Sequence, residues 1–173
     1  MEIKIYLGNL GLYNEGISRG KWITLPCENL QKELEKIGVK DGTQYEEYHI
    51  QDFECPFFDV HRYDSLEALN ALAEEIEQLD EEQKNILAKI KDEYPSTHEG
   101  VIQAVGDIEN VIVHNVSSVK ELGMELLEGL YEVPANLTSY FDYEAYARDM
   151  MSNGNFVDAT EDPENPMIIE IQN

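Results

Sequence analysis

The sequence predicts an α+β fold laid out as an elongated row of three small modules: an α/β segment at 1–63, a short helical bundle at 64–106 and a second α/β segment at 107–173. Three observations carry this. Ile3, Ile5 and Leu7 alternate with Lys4 and Tyr6, as in a half-buried strand. Apolar residues then recur every three or four positions through the middle of the chain, as on one face of a helix. Short apolar runs return at Val111–Val113 and Met167–Ile171.

The elements follow in order. After the first strand, Asn9-Leu10-Gly11 and Asn14-Glu15-Gly16 mark a loop. Gly20–Leu25 reads as a second strand ended by Pro26. Leu30, Leu34 and Ile37 give a helix over Glu28–Ile37 that stops at Gly38, and Tyr45–Ile50 reads as a third strand. In the middle segment, Asp64 and Glu67 read as N-cap and N3 of a helix whose stripe is Leu66, Leu69, Ala73, Ile76 and Leu79. Asp80 caps a second helix carrying Ile86, Leu87 and Ile90, with Pro95 beyond it, and Ser96 with Glu99 starts a third that runs through Val105. The last segment places helices from Ser118 to about Leu130 and from Asp142 through Met151, then strands at Phe156-Val157 and Met167–Ile171.

Charge is the unusual property. There are 36 Asp and Glu against 12 Lys and Arg, a net charge of −24, while 42% of residues are hydrophobic, enough for a core. Small domains stay soluble on a far smaller charge, and this much self-repulsion opposes compaction. Binding nucleic acid through phosphate neutralisation needs a basic surface, so nucleic acid is excluded as a partner and basic surfaces are favoured. The acids are interleaved with Leu, Ile, Val and Tyr along the chain, which sets them on folded scaffolding instead of a disordered tail. The start of the chain has no basic-then-apolar signal pattern, and no apolar run reaches the ~18 residues of a membrane span. With Cys27 and Cys55 isolated, a cytoplasmic protein with reduced thiols and no membrane association is expected.

Catalytic, cofactor and metal motifs are missing from the sequence. His49, His61, His98 and His114 form no His-Glu-x-x-His and pair with no cysteine at zinc spacing. Neither a Gly-x-Ser-x-Gly elbow nor a phosphate-binding glycine loop occurs. The acidic stretch from Asp158 departs from an EF-hand loop, with Pro163 where glycine belongs and Ile169 where the bidentate glutamate belongs. No enzyme, cofactor or metal is therefore expected.

The carboxylates of the middle helices are more telling. Glu67, Glu74 and Glu81 lie seven apart, with Glu75, Glu77, Asp80 and Glu82 beside them, and few Lys or Arg stand at i+4 to compensate. Neighbours at i+3 and i+4 sit ~5–6 Å apart on a helix. Such spacing can approximate a track of phosphates; a charge of −24 corresponds to about 41 Å of duplex at one charge per ~1.7 Å. The plainer reading is the solvated face of amphipathic helices, although that face ordinarily mixes signs.

Two stretches carry a family likeness. One is Leu7-Gly8-Asn9-Leu10-Gly11-Leu12-Tyr13-Asn14-Glu15-Gly16 with Gly20-Lys21-Trp22-Ile23; the other is Leu126-Leu127-Glu128 through Glu132-Val133-Pro134, continuing into Tyr140-Phe141-Asp142-Tyr143-Glu144-Ala145-Tyr146-Ala147-Arg148-Asp149. With Tyr45-Glu46-Glu47-Tyr48, these resemble the ArdA antirestriction proteins along nearly the whole chain, Ala147 standing where the family pattern has Gly. The resemblance implies a protein carried on mobile genetic elements, paired into a curved homodimer that mimics bent B-form DNA. Its implied partner is a type I restriction-modification enzyme, whose DNA groove it fills. On this reading Glu67, Glu74, Glu75, Glu77, Asp80, Glu81, Glu82, Glu121, Glu125 and Glu128 face the partner. Leu126, Leu127, Tyr140, Tyr143, Tyr146, Arg148 and Asp149 belong to the antirestriction motif and the dimer contact, with Phe141 as the aromatic given to the core and Arg148 as a structural ion pair. The alternative from composition is an acidic adaptor or chaperone for a basic DNA-associated protein. A carboxylate hydrolase would need two acids with pKa values pushed apart, and the sequence singles out no such pair.

Overall fold

Ile3, Ile5 and Leu7 are sealed from solvent along β1 (Ile3–Asn9), the middle strand of a three-stranded antiparallel sheet. Its neighbours are β2 (Gly20–Leu25), in register Ile5 to Ile23, and β3 (Tyr48–Glu54), which shifts register between Tyr6 and Leu7. The computed structural model describes every residue except Gly129, Glu132, Glu164, Asn165 and Asn173, and it divides into two units, Met1–Gly106 and Asp107–Asn173. The first strand and the middle helices belong to the first unit.

The first unit corrects several sequence expectations. The loop after β1 is a short helix, α1 (Leu10–Asn14), because the Asn9 carboxamide caps it, accepting from Leu12 N–H at 2.9 Å. Helix α2 (Leu30–Lys36) starts two residues later than expected, capped by Asn29, and Gly38 stops it at φ 84°. The third strand begins at Tyr48 and not Tyr45, since Lys40 N–H donates to Tyr45 O at 3.1 Å and closes a turn over the intervening residues. Helix α3 (Leu66–Glu77) is capped by Ser65, not Asp64; Asp64 instead accepts from His61 N–H at 2.7 Å. Asp80 caps α4 (Glu81–Ile90) as expected, in a reciprocal box with Gln83. Helix α5 (His98–Asp107) takes its cap from Thr97, whose hydroxyl accepts from Gly100 N–H at 3.1 Å, and not from Ser96.

The second unit runs β4 (Val111–Asn115), α6 (Val119–Glu128), α7 (Tyr143–Asn153), β5 (Phe156–Asp158) and β6 (Met167–Ile171). Its sheet is antiparallel in the order β4–β6–β5, so the last strand of the chain is the central one. Val116, Leu122, Ala147 and Ile168 form the buried core, with Val119, Leu126, Met151 and Phe156 packed around it. Ala147 is fully buried, and Gly123 lies against the backbone of Tyr143, so small residues set how closely α6 approaches α7. The chain is thus α+β with two small antiparallel sheets.

Candidate functional site

Helix periodicity decides which carboxylates face water. On α3, Leu66, Leu69, Asn70, Leu72, Ala73 and Ile76 are buried, which turns Glu67, Glu74, Glu75 and Glu77 outward. On α4, Leu87 and Ile90 are buried, while Asp80, Glu81 and Glu82 are exposed at its N-terminus, where the helix dipole favours negative charge. Among the described residues, Glu67, Glu74, Glu75, Glu77 and Glu82 have no cationic group within 4.0 Å, whereas Glu81 has Lys84 at 3.4 Å and the N-terminal ammonium at 3.6 Å.

Two of these carboxylates are held by neutral donors. Glu67 accepts from the Ser65 hydroxyl at 3.0 Å. Glu74 accepts from Asn70 Nδ2 at 2.8 Å, and the oxygen of the same amide accepts from Cys27 N–H at 2.7 Å. Buried Asn70 thus ties an exposed carboxylate to the chain just after β2. Sequence reasoning passed over it, although an amide within an otherwise apolar stripe signals a buried polar tether.

In the second unit, Glu121, Glu125 and Glu128 are exposed on α6. Hydrogen bonds from the hydroxyl and the backbone N–H of Ser117 hold the Glu121 carboxyl below the usual carboxylate range. Glu125 meets His114 Nδ1 at 2.8 Å, and His114 Nε2 meets Glu170 at 3.2 Å. His114, an isolated histidine by sequence, is buried between α6 and β6 and fixes Glu125 in place.

The motif residues divide between inside and outside. Leu127 is buried and Leu126 half-buried against the core. Tyr143 is 9% exposed, whereas Phe141 is 37% exposed, which reverses the expectation that Phe141 is the aromatic in the core. The Phe141 ring lies 4.8 Å from Tyr143 and 6.0 Å from half-buried Tyr146, forming a rim over the core. Tyr140 is 84% exposed, in company with exposed Leu130, Tyr131 and Leu137 on the segment joining α6 to α7. Arg148 pairs with Glu144 at 2.7 Å on the surface of α7, and Asp149 accepts from Asn153 Nδ2 at 3.0 Å.

Among the described residues, no cluster of three His, Cys, Asp or Glu could hold a metal ion, and no helix is long and apolar enough to cross a membrane. Cys27 and Cys55 are free thiols, and burial pushes the Cys55 thiol up. A family model described as antirestriction protein (ArdA) matches residues 5–163. The chain belongs to the ArdA family. The match takes in both units, so the acidic helices α3, α4 and α6 and the Tyr140–Asp149 motif all lie within the ArdA span. No curated protein matches the chain. ArdA proteins are inhibitors that act against restriction enzymes.

Proposed function

We propose that this ArdA protein is a DNA mimic that blocks a type I restriction-modification enzyme by occupying its DNA groove. The observation that carries the reading is the outward face of α3 and α4, where Glu67, Glu74, Glu75, Glu77 and Glu82 stand exposed without cationic partners among the described residues. A groove lined with Lys and Arg to take phosphates meets there the same charge at similar spacing, and release of its counterions supplies the driving force. Glu121, Glu125 and Glu128 give the second unit its own acidic face.

The proposal extends to assembly and setting. Exposed Tyr140, with Leu130, Tyr131 and Leu137, is the surface for a two-fold contact with a second copy, which would double the acidic track. The three segments 1–63, 64–106 and 107–173 act as its modules, in the cytoplasm of a cell receiving a mobile genetic element. No catalytic step is required of the protein.

The test is competition. A type I enzyme holding labelled DNA is titrated with the protein at several ionic strengths. The expected result is mutually exclusive binding that weakens as salt rises, together with raised plating of unmodified phage on a restricting host. A ternary complex of enzyme, DNA and this protein at saturation overturns mimicry. Tight binding to free basic proteins, indifferent to competitor DNA, would instead establish an acidic adaptor.

A further inference from the structure

Beside β3 in the first unit lies a cavity of about 390 Å³, with Tyr13, His49, Gln51, Asp52, Phe53 and Arg62 in its wall. His49 is 1% exposed. It fits because its cross-strand partner is Gly8: a Cβ there would stand 3.1 Å from His49 Cε1 and 2.5 Å from Gln51 Nε2. Gln51 Nε2 donates to His49 Nε2 at 2.8 Å, which leaves the ring proton on Nδ1. That nitrogen is buried and has no hydrogen-bond partner. Burial, and then the Arg62 guanidinium, lower the pKa of His49 and favour the neutral ring.

Arg62 is held by its backbone and by two rings. Ile50 N–H donates to its carbonyl at 2.9 Å, anchoring its backbone to β3. Its guanidinium lies over two aromatic rings, 5.5 Å from the centre of Tyr13 and 5.6 Å from that of Tyr63. Like Arg19, Lys32, Lys40 and Lys120, and unlike Lys4, Lys21, Lys36, Lys84, Lys91 and Arg148, it has no carboxylate within 4.0 Å among the described residues. The one acid in the wall, Asp52, has an oxygen occupied by Phe53 N–H at 2.9 Å. Arg62 and the unpartnered Nδ1–H of His49 are therefore donors beside a space that Tyr13 and Phe53 also line.

We propose that this cavity binds a small planar carboxylate, its oxygens on the Arg62 fork and its ring between Tyr13 and Phe53. A guanidinium fork matches carboxylate geometry in a way an ammonium does not. Nδ1 of His49 is buried, and the ring of Tyr13, itself 48% exposed, packs edge-on against the imidazole at 5.0 Å. Rotation of that ring lets a carboxylate oxygen reach the N–H. The protein's overall charge opposes an anion, but at physiological ionic strength the field is screened over ~8 Å, so the immediate wall dominates. This site is independent of the antirestriction reading.

Benzoate is the probe. Isotope-labelled full-length protein is titrated with sodium benzoate at about 0.15 M ionic strength held constant with chloride, following the ring nitrogens of His49 and Nε of Arg62 by NMR. Saturable shifts at both are expected, with Arg62→Gln weakening binding about tenfold or more and Arg62→Lys falling between. Neutral benzamide, of the same shape, should bind at least tenfold more weakly to the unaltered protein, a contrast that holds even where Arg62→Gln disturbs the fold. Equal shifts with benzamide, shifts that never saturate, or undiminished binding by a folded Arg62→Gln overturn the proposal.

Discussion

Replacing Gly123 by alanine tests the packing on which the second unit depends. A Cβ at this position would stand 1.9 Å from the carbonyl oxygen of Tyr143 and 2.7 Å from its carbon. Both atoms are backbone, so no rotamer relieves the clash; ordinary contact begins at 3.4 Å, and α6 and α7 must part by more than 1 Å. Parting them loosens Leu122 and Ala147, which are fully buried between the two helices and the sheet. Overpacking costs about 1–3 kcal/mol and more when backbone must move, while alanine's better helix propensity returns at most about 1 kcal/mol. A net loss of about 2 kcal/mol lowers the melting point of a unit this size by about 10 °C. The two units can be followed separately in the intact chain. Trp22, the single tryptophan, lies on β2 and reports the first unit by fluorescence, and amide exchange on α6, α7 and β6 reports the second. Protection should fall in the second unit while the Trp22 transition stays put. An alanine variant that keeps full protection on α6 and α7 would refute the close approach.

Charge removal should act cumulatively: Glu75→Gln, Glu77→Gln and Glu82→Gln should each weaken DNA displacement by about 1 kcal/mol or less, and the triple variant by their sum. Loss of all activity from one of them, in a folded protein, would argue for a single anchor instead of a distributed track. Tyr140→Ala should alter stability by no more than about 0.5 kcal/mol yet shift sedimentation toward monomer, whereas Tyr143→Ala should cost the second unit about 3 kcal/mol. Unchanged sedimentation of Tyr140→Ala at micromolar concentration would remove that surface from the dimer contact. Hydrogen bonds from Lys21, then Lys36, hold Glu33 down from 4.5 to about 2, so its stabilising effect is present above pH 4.5 and is lost as pH falls toward about 2. The urea midpoints of the unaltered protein and Glu33→Gln should therefore differ near neutrality and converge by pH about 2; a gap constant with pH would contradict the assignment.

The sequence made periodic elements legible and left out whatever depends on a partner distant in the chain. Alternation at Ile3, Ile5 and Leu7 and the helical stripes of α3 and α4 identify themselves, because period alone selects the buried face. Asn9 reads as a turn residue, yet it is fully buried and starts a helix, because its amide also reaches Ile37 O at 3.5 Å across the unit. His114 and Asn70 look incidental for the same reason, since their partners Glu170 and Cys27 lie 56 and 43 residues away. Phe141 lies before α7 and outside its period, so nothing local shows that it caps the rim, while Tyr143, the first residue of α7, turns inward with Ala147 at i+4.

The placement of cations carries the last step. With 12 bases for 36 acids, pairing at random would neutralise about one carboxylate in three wherever it stood. Instead Lys21 and Lys36 share Glu33, Lys4 lies between Glu2 and Glu54, Lys91 takes Asp92 and Arg148 takes Glu144, whereas of the ten carboxylates expected to face the partner only Glu81 has a lysine or arginine within 4.0 Å among the described residues, Lys84 at 3.4 Å. Helix α3 carries Glu67, Glu74, Glu75 and Glu77 with no base in its twelve residues. Ala71 and Gln78, exposed at i+4 from Glu67 and Glu74, are where lysine would relieve that repulsion. Ala71→Lys with Gln78→Lys should raise stability by roughly 0.3–0.5 kcal/mol per pair and weaken displacement of DNA from the restriction enzyme at the same time. Improved stability with undiminished inhibition would mean that the acidic face of α3 is only a solvated surface. Stability and inhibition moving in opposite directions would mean that its repulsion is retained for what the face must meet.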